Sequence, residues 1–337
     1  MAPPLEIGTT MRLDTDQELS NNLDDAELLG ICLFVASNRE CGVLRRRLKS
    51  GELVSPRQGM YLRSSFWNGL SPAEKTAHII RTLGIAHPSW TFSHASAALI
   101  HGIDVSYELL SPIHVITPDS EGSKNPRGVK RHRPKAFQGT VLGSTRVTTI
   151  DQTVIDCAMS YSLSFFLPIG DYALRHGLTT RARLDEELRG RVGHRGVLNA
   201  RKFVSLIDTR AESGGESFVR GRLIELGIPF VDLQGCVRNP EQPWRPYRMD
   251  IVLQRPDGFY VDLEVDGAKK YEDPEMTKGK TTARVAMDER QREALITSYG
   301  IRVARITPKQ ARNAGLLARR LAYYGIFPTN DARRRSS

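Results

Sequence analysis

The sequence has few cysteines, no histidine in its C-terminal part and no long apolar run. Cys32, Cys41, Cys157 and Cys236 are far apart and form no C-x-x-C pair, so we expect the reduced thiols of a cytoplasmic protein. Because no histidine follows His194, a histidine-ligated zinc centre is excluded from the C-terminal region. No apolar run approaches the about 20 residues of a membrane helix, and the N-terminus lacks a basic and then apolar leader, so we expect no membrane partner.

Basic residues outnumber acidic ones. The 337 residues include 48 Lys and Arg against 38 Asp and Glu, a net charge of +10, and the isoelectric point is about 9.6. This balance favours a polyanionic partner such as nucleic acid, although it says nothing about the fold. A hydrophobic content of 40% with 26% charged residues is typical of globular proteins, and the length suits two or three domains.

Residues 249–271 predict a β-hairpin, because apolar and polar residues alternate in both arms around a Pro-Asp-Gly turn at 256–258. Carboxylates crowd one face of this hairpin: Asp250 on the first arm, and Asp262, Glu264 and Asp266 on the second. Such a row repels itself, and a divalent cation would remove the penalty. The alternative is an edge strand whose acidic face is simply solvated.

The order of elements around the hairpin resembles the PD-(D/E)XK nuclease superfamily, especially very-short-patch-repair endonucleases. A helix opens with Glu216, a strand carries Asp250, the next strand carries E-x-D-G at 264–267 with Lys270 and Tyr271 after it, and a helix and strand follow over 288–307. The likeness covers roughly residues 212 to 310. Each piece is weakly specific, whereas the ordered set is fairly specific.

This resemblance implies hydrolysis of DNA with Mg²⁺ or Mn²⁺. It implies Asp250, Glu264 and the carbonyl of Val265 as metal ligands, and a role for Glu216 in holding a metal-bound water. The implied catalytic residues are Glu216, Asp250, Glu264, Asp266 and Lys270. Asp266 stands where the family name has lysine, which puts the role of Lys270 in doubt, and Lys269 and Arg292 are weaker candidates for phosphate contact. The alternative is a nuclease fold that no longer cuts.

The N-terminal region resembles a winged helix-turn-helix. Asn22 is a plausible N-cap for a helix through Phe34, a second helix is predicted from Glu40 to Gly51, and two short β arms follow. The phrase LRRRLKSGELVSPRQGMY is similar to the N-terminal domain of AbiEi-type antitoxins. DNA contacts are expected from Arg45, Arg46, Arg47, Lys49 and Arg57. The alternative is a solvated basic face on a small packing domain.

Residues 66–207 predict an α/β domain. The segments SHASAALIHG and TTIDQTVIDCA resemble the middle region of AbiEi-type proteins. Ser93 is interpreted as an N-cap and His94 as a satisfied polar group at a helix start; His94 and His101 are seven residues apart, a spacing more typical of packing than of a metal site. A basic loop over 124–135 either follows a phosphate backbone, through Lys130, Arg131 and Arg133, or is solvated.

The sequence therefore predicts an α/β, more fully α+β, multidomain protein. The expected parts are a loose N-terminus (1–21), a winged helix-turn-helix (22–65), an AbiEi-like α/β domain (66–207), a restriction-endonuclease-like mixed sheet flanked by helices (212–326) and a basic tail (327–337). The predicted function is metal-dependent DNA cleavage, in phage defence or mobile-element control. One alternative is a non-enzymatic AbiEi-like antitoxin and regulator with a toxin partner, and another is an RNA- or protein-binding scaffold.

Overall fold

The chain is an α+β protein whose helices surround three sheets. The computed structural model describes residues 15–35, 42–118, 126–240, 242–244, 246–266 and 282–329. The chain divides into two compact units, residues 1–157 and 158–337, and the expected boundary between residues 207 and 212 lies inside the second. Within the described ranges, no helix is both long and apolar enough to cross a bilayer.

The first unit begins with two helices and a small sheet, and continues into a larger sheet with helices. Its elements are α1 (Asp16–Leu28), β1 (Leu33–Phe34), α2 (Gly42–Lys49), β2 (Leu53–Arg57), β3 (Met60–Arg63), α3 (Ser64–Gly69), α4 (Pro72–Ala86), β4 (Thr91–Phe92), α5 (His94–Ile100), β5 (Ile113–Ile116), β6 (Val129–His132), β7 (Gly139–Leu142), β8 (Thr145–Thr148) and α6 (Ile150–Ser160).

Two sheets organise this unit. The smaller has the order β1-β3-β2 and is antiparallel; the larger has the order β6-β5-β4-β8-β7 and is mixed. Leu19 and Leu23 of α1 and Leu44 of α2 are fully buried with Tyr61 of β3. The two predicted β arms after α2 are thus confirmed, because β2 and β3 pair as a hairpin.

The structure corrects three predictions in the first unit. Helix α1 starts at Asp16 rather than Asn22, because Thr15 forms a capping box with Glu18. Leu33–Phe34, predicted as helix, is strand β1. The segment predicted as a basic loop contains strand β6, which pairs in parallel with β5.

The second unit is helical at first and then forms a four-stranded sheet. Its elements are α7 (Leu163–Arg175), α8 (Arg181–Arg189), α9 (Val197–Ser205), α10 (Gly214–Glu225), β9 (Asp232–Val237), β10 (Tyr247–Gln254), β11 (Tyr260–Val265), α12 (Thr282–Ser298), β12 (Arg302–Ile306), α13 (Pro308–Ala311) and α14 (Ala314–Tyr323).

The sheet of this unit has the order β12-β11-β10-β9, so β11 is an interior strand. β10 pairs antiparallel with both β9 and β11, while β11 and β12 run parallel. One face packs on α10 and α14, through Phe218, Leu223 and Leu321 among others. The predicted hairpin is confirmed as β10 and β11, and the helix and strand expected after it are present as α12 and β12.

Helices α7 and α10 pack so closely that a glycine is required between them. A Cβ atom on Gly221 would lie 2.5 Å from the Cα of Ser164, a separation that real side chains do not tolerate. The same two helices share a buried ion pair, in which the Arg220 guanidinium lies 2.7 Å from a carboxylate oxygen of Asp171. Helix α7, which the sequence assigned to the middle domain, therefore packs against α10 within the second unit.

Candidate functional site

The two carboxylates predicted as metal ligands are cross-strand neighbours. Ile251 pairs with Leu263 in the antiparallel register of β10 and β11, and one further step along this register sets Asp250 opposite Glu264. Directly opposed residues point to the same face of a sheet. A carboxylate oxygen of Asp250 also accepts a hydrogen bond from the backbone N–H of Val265 at 2.8 Å, which holds the side chain against β11.

Burial excludes the solvated-edge alternative for these acids. Strand β11 is flanked by strands on both sides, and Asp262 and Glu264 are 0% and 2% exposed. A buried carboxylate has a large desolvation cost unless a cation or hydrogen-bond donors compensate it. The acidic face of β11 is therefore an interior charge cluster, in which Asp250, Asp262 and Glu264 interact electrostatically.

One cation of the described chain reaches this cluster. Both terminal nitrogens of Arg292, on α12, donate to the Glu264 carboxylate, and one of them also donates to the carbonyl of Arg248. Burial opposes the charge of this guanidinium, but Glu264 and then Asp262 and Asp250 outweigh that effect and raise the pKa of Arg292. Arg292, predicted as a phosphate contact, is in this structure the partner of Glu264.

Asp262 has no comparable partner. Among the described residues, no donor reaches either of its carboxylate oxygens. Burial, followed by the charge of Glu264, raises the pKa of Asp262 to about 9. The Glu264 carboxyl group, which is close enough to share a proton with Asp262, adds to this rise. The cluster thus brings three acidic side chains, Asp250, Asp262 and Glu264, around the guanidinium of Arg292.

Glu216 and Asp266 have local partners of their own. The Glu216 carboxylate accepts hydrogen bonds from the backbone N–H of Glu212 at 2.8 Å, from the Ser213 hydroxyl at 2.8 Å and from the Gln234 amide at 2.9 Å. These contacts hold it at the N-terminus of α10, where a negative charge is favourable. Asp266 follows β11, and its carboxylate lies 3.7 Å from the Arg305 guanidinium. Their predicted catalytic roles remain predictions.

The other predicted site residues divide into two groups. Val265 lies at the end of β11 and is buried, which keeps its backbone beside Asp250. Lys269 and Lys270 lie outside the described residues, so the lysine of the resemblance stays a prediction from the sequence.

The predicted DNA-binding residues of α2 are only partly available to a partner. Arg46 lies 2.6 Å from Asp16, and Arg47 lies 3.2 Å from Asp16 and 3.3 Å from Glu52. Arg47 is also half-buried, so its guanidinium ties α2 to α1, and its predicted contact with DNA stays a prediction. Arg45 and Lys49 are exposed on the same helix and retain the predicted role.

Two further arginines predicted to contact DNA are used within the first unit. The Arg57 guanidinium donates to the carbonyls of Arg127 and Gly128 at 3.0 and 3.1 Å, so it holds the segment before β6, and its predicted contact with DNA stays a prediction. The Arg131 guanidinium lies 5.9 Å from the centre of the Trp90 ring, a cation–π contact. Lys130 and Arg133 are exposed.

Sequence reasoning missed two features of the described structure. It placed Asp262 on the acidic face but gave it no role, because strand alternation does not show which face becomes buried. It also interpreted His94 as a packing residue, whereas His94, His114 and His132 bring three possible metal-ligand atoms within 4.8 Å of one another, the one such convergence in the described ranges. Among the described residues, the acidic cluster does not bring three possible ligand atoms as close together as the histidines do.

The comparisons with known proteins give no function. No family model matches the sequence. Two proteins of Mycobacterium tuberculosis, from strains CDC 1551 and H37Rv and both described as uncharacterized, are each 24% identical to this chain over 157 residues, which is 47% of this chain and 53% of the relative. The chain therefore spans about half the length of the curated relatives it matches.

Proposed function

We propose that this chain is a cytoplasmic DNA-binding protein whose second unit hydrolyses DNA phosphodiester bonds with Mg²⁺ or Mn²⁺. The observation that carries this proposal is the buried acidic cluster. Asp250 and Glu264 oppose each other across two strands, and Asp262 is fully buried beside them without a donor among the described residues. Divalent cations such as Mg²⁺ take oxygen ligands, and these neighbouring carboxyl groups offer them.

Each residue of the acidic site would have a distinct role in this reaction. Asp250, Glu264 and the Val265 carbonyl would hold the cation, which supplies charge compensation at the phosphate and lowers the pKa of a bound water. Arg292 would leave Glu264 on metal binding and turn to the phosphate, a group that guanidinium recognises through paired hydrogen bonds. Glu216 would position a water, and Lys270 or Lys269 would contact the scissile phosphate.

DNA would be held by exposed basic side chains of the first unit. Arg45 and Lys49 of α2, and Lys130 and Arg133 at β6, are exposed on the described surface. Phosphate contacts by such residues supply affinity that falls steeply with salt. Winged-helix binding would place α2 in a groove, with Arg46 and Arg47 supporting the helix through their ion pairs with α1.

A second candidate is a non-enzymatic regulator similar to AbiEi antitoxins, which would bind operator DNA and neutralise a partner toxin. The Arg292–Glu264 ion pair favours this candidate, because a guanidinium of the chain itself already neutralises one of the two proposed metal ligands. In that case the cluster would be a structural remnant or a binding surface of a nuclease fold.

Plasmid cleavage separates the two candidates. Supercoiled plasmid is incubated with the full chain and Mg²⁺ or Mn²⁺, beside an Asp250→Asn, Glu264→Gln double variant that keeps the side-chain shapes. The enzyme predicts nicking by the wild type and a loss of at least about 100-fold in rate in the double variant. Sequence-specific gel shifts without cleavage under either metal would instead support the regulator.

A further inference from the structure

A cluster of three histidines lies in the first unit, apart in sequence from the acidic cluster. His94 begins α5, His114 is in β5 and His132 ends β6. One possible metal-ligand atom from each side chain lies within 4.8 Å of the other two. His94 and His114 are 7% and 5% exposed, and His132 is half-buried.

The larger sheet positions two of these side chains. In the parallel register of β5 and β6, His114 pairs with Lys130 and Ile116 pairs with His132. Val115 and Val129 belong to the hydrophobic core, so alternation turns His114 and His132 to the opposite face. Their rings meet diagonally across the strands, with His114 Nδ1 2.9 Å from His132 Nε2.

His94, the third histidine, contacts the other two through an unusual backbone conformation. His94 has a φ of +52°, a region that residues other than glycine rarely adopt and that costs free energy. In this conformation the His94 ring stacks on the His132 ring, with centroids 4.0 Å apart. The Ser93 hydroxyl lies 3.0 Å from His94 Nδ1, and a proton on Nδ1 makes Nε2 the nitrogen with a lone pair.

The surroundings of His114 and His132 favour the neutral imidazole. The exposed amine of Lys130 brings a further positive charge close to the rings. Burial first, then the charges of His132 and Lys130, lower the pKa of His114 to about 3. Neutral imidazole is the form in which histidine binds metal ions.

We propose that His94, His114 and His132 form a binding site for a divalent transition-metal ion of the Zn²⁺ class. Three histidines with a water in the fourth position are an established zinc ligand set. Zinc–nitrogen bonds of 2.0–2.1 Å in a tetrahedron set ligand nitrogens roughly 3.3 Å apart. His114 Nδ1 lies 2.9 Å from His132 Nε2, and the three candidate ligand atoms all lie within 4.8 Å of one another, which is compatible with that value.

The site has a supporting hydrogen bond to one ligand and the selectivity that such a metal requires. A ligating histidine commonly hydrogen-bonds its other ring nitrogen to a neighbouring group, as the Ser93 hydroxyl provides for His94. Mg²⁺ prefers oxygen ligands, so this site differs in chemistry from the acidic cluster of the second unit. A bound ion would join the β4–α5 junction to β5 and β6, and would stabilise the folded first unit by mass action.

Zinc titration of the tag-free, full-length protein tests the site. The chelator-treated protein is titrated with Zn²⁺ in competition with a chromophoric chelator, and thermal unfolding is followed with and without the metal. The wild type is expected to bind one Zn²⁺ per chain and to gain several degrees in melting temperature. His132→Gln, at the half-buried position, is expected to weaken binding by about 10- to 100-fold and to lose the thermal gain.

Two controls make the result specific. His194→Gln changes an exposed histidine of the second unit and should bind zinc as the wild type does, as should the Asp250→Asn, Glu264→Gln variant. Co²⁺ bound to the wild type should give the visible absorption of a tetrahedral nitrogen-ligated ion. Absence of Zn²⁺ binding below millimolar concentration in the wild type, or equal binding by wild type and His132→Gln, would overturn the proposal.

Discussion

Arg292→Ala is expected to destabilise the second unit by about 3–5 kcal/mol, the usual cost of leaving one member of a buried ion pair alone. Glu264 is 2% exposed, and both terminal nitrogens of Arg292 donate to it. Without the guanidinium, the buried carboxylate loses the cation that compensates its charge. Urea unfolding of the wild type and the variant in the presence of a chelator measures this loss.

Divalent cations should then restore part of the lost stability. If the acidic cluster can hold Mg²⁺ or Mn²⁺, millimolar metal should stabilise Arg292→Ala more than the wild type, because the ion replaces the missing positive charge. Arg290→Ala is the matched control, since Arg290 is an exposed residue of the same helix. It should change stability by less than about 0.5 kcal/mol. If neither Mg²⁺ nor Mn²⁺ changes the stability of Arg292→Ala, the result would count against a cation site.

Asp262→Asn is expected to stabilise the metal-free protein at pH 8 and to flatten its pH dependence. The pKa of Asp262 is raised to about 9 in the fold, against about 3.9 for an unperturbed aspartate. The folded chain therefore binds this proton more tightly than the unfolded chain, and the stability from this group falls as pH rises from about 4 to about 9. Asparagine carries no charge, and its amide can donate to Glu264.

The free energy of unfolding of Asp262→Asn should differ little from that of the wild type near pH 4.5 and exceed it by at least about 1–3 kcal/mol at pH 8. Urea unfolding at both pH values with a chelator measures it. Asp185→Asn serves as the control, because Asp185 is exposed on α8 and the same change of charge should leave the pH dependence unaltered. Parallel pH profiles for Asp262→Asn and the wild type would show that Asp262 is ionised in the fold.

The hairpin was predictable because its signals are local. Alternation in both arms and a Pro-Asp-Gly turn predicted β10 and β11 and placed Asp250 on the same face as Glu264. The register of the two strands sets these two residues opposite each other. The burial of Asp262 and Glu264 was not predictable in the same way. An interior acidic strand and a solvated edge strand have the same alternation, and only the distant pairing of β12 with β11 decides between them.

Other errors also arise where distant parts of the chain determine the outcome. Strand β6 has only Val129 as a buried apolar residue. The Gly and Pro residues around it favoured a loop, because its pairing with β5 is not visible in the sequence. Arg46 and Arg47 form ion pairs with Asp16 of α1. Counting the basic residues of α2 in the sequence therefore overestimates the positive charge of its surface. The histidine cluster likewise joins residues from three elements that have no common sequence motif.

Manganese binding by the full chain tests the central claim most directly. Titration with Mn²⁺, with the free ion followed by electron paramagnetic resonance, compares the wild type with Asp250→Asn, Glu264→Gln and with His132→Gln. The acidic cluster predicts binding that the double variant weakens by at least about 10-fold and that His132→Gln leaves unchanged. Equal Mn²⁺ binding by the wild type and the double variant, or none at millimolar Mn²⁺, would contradict it.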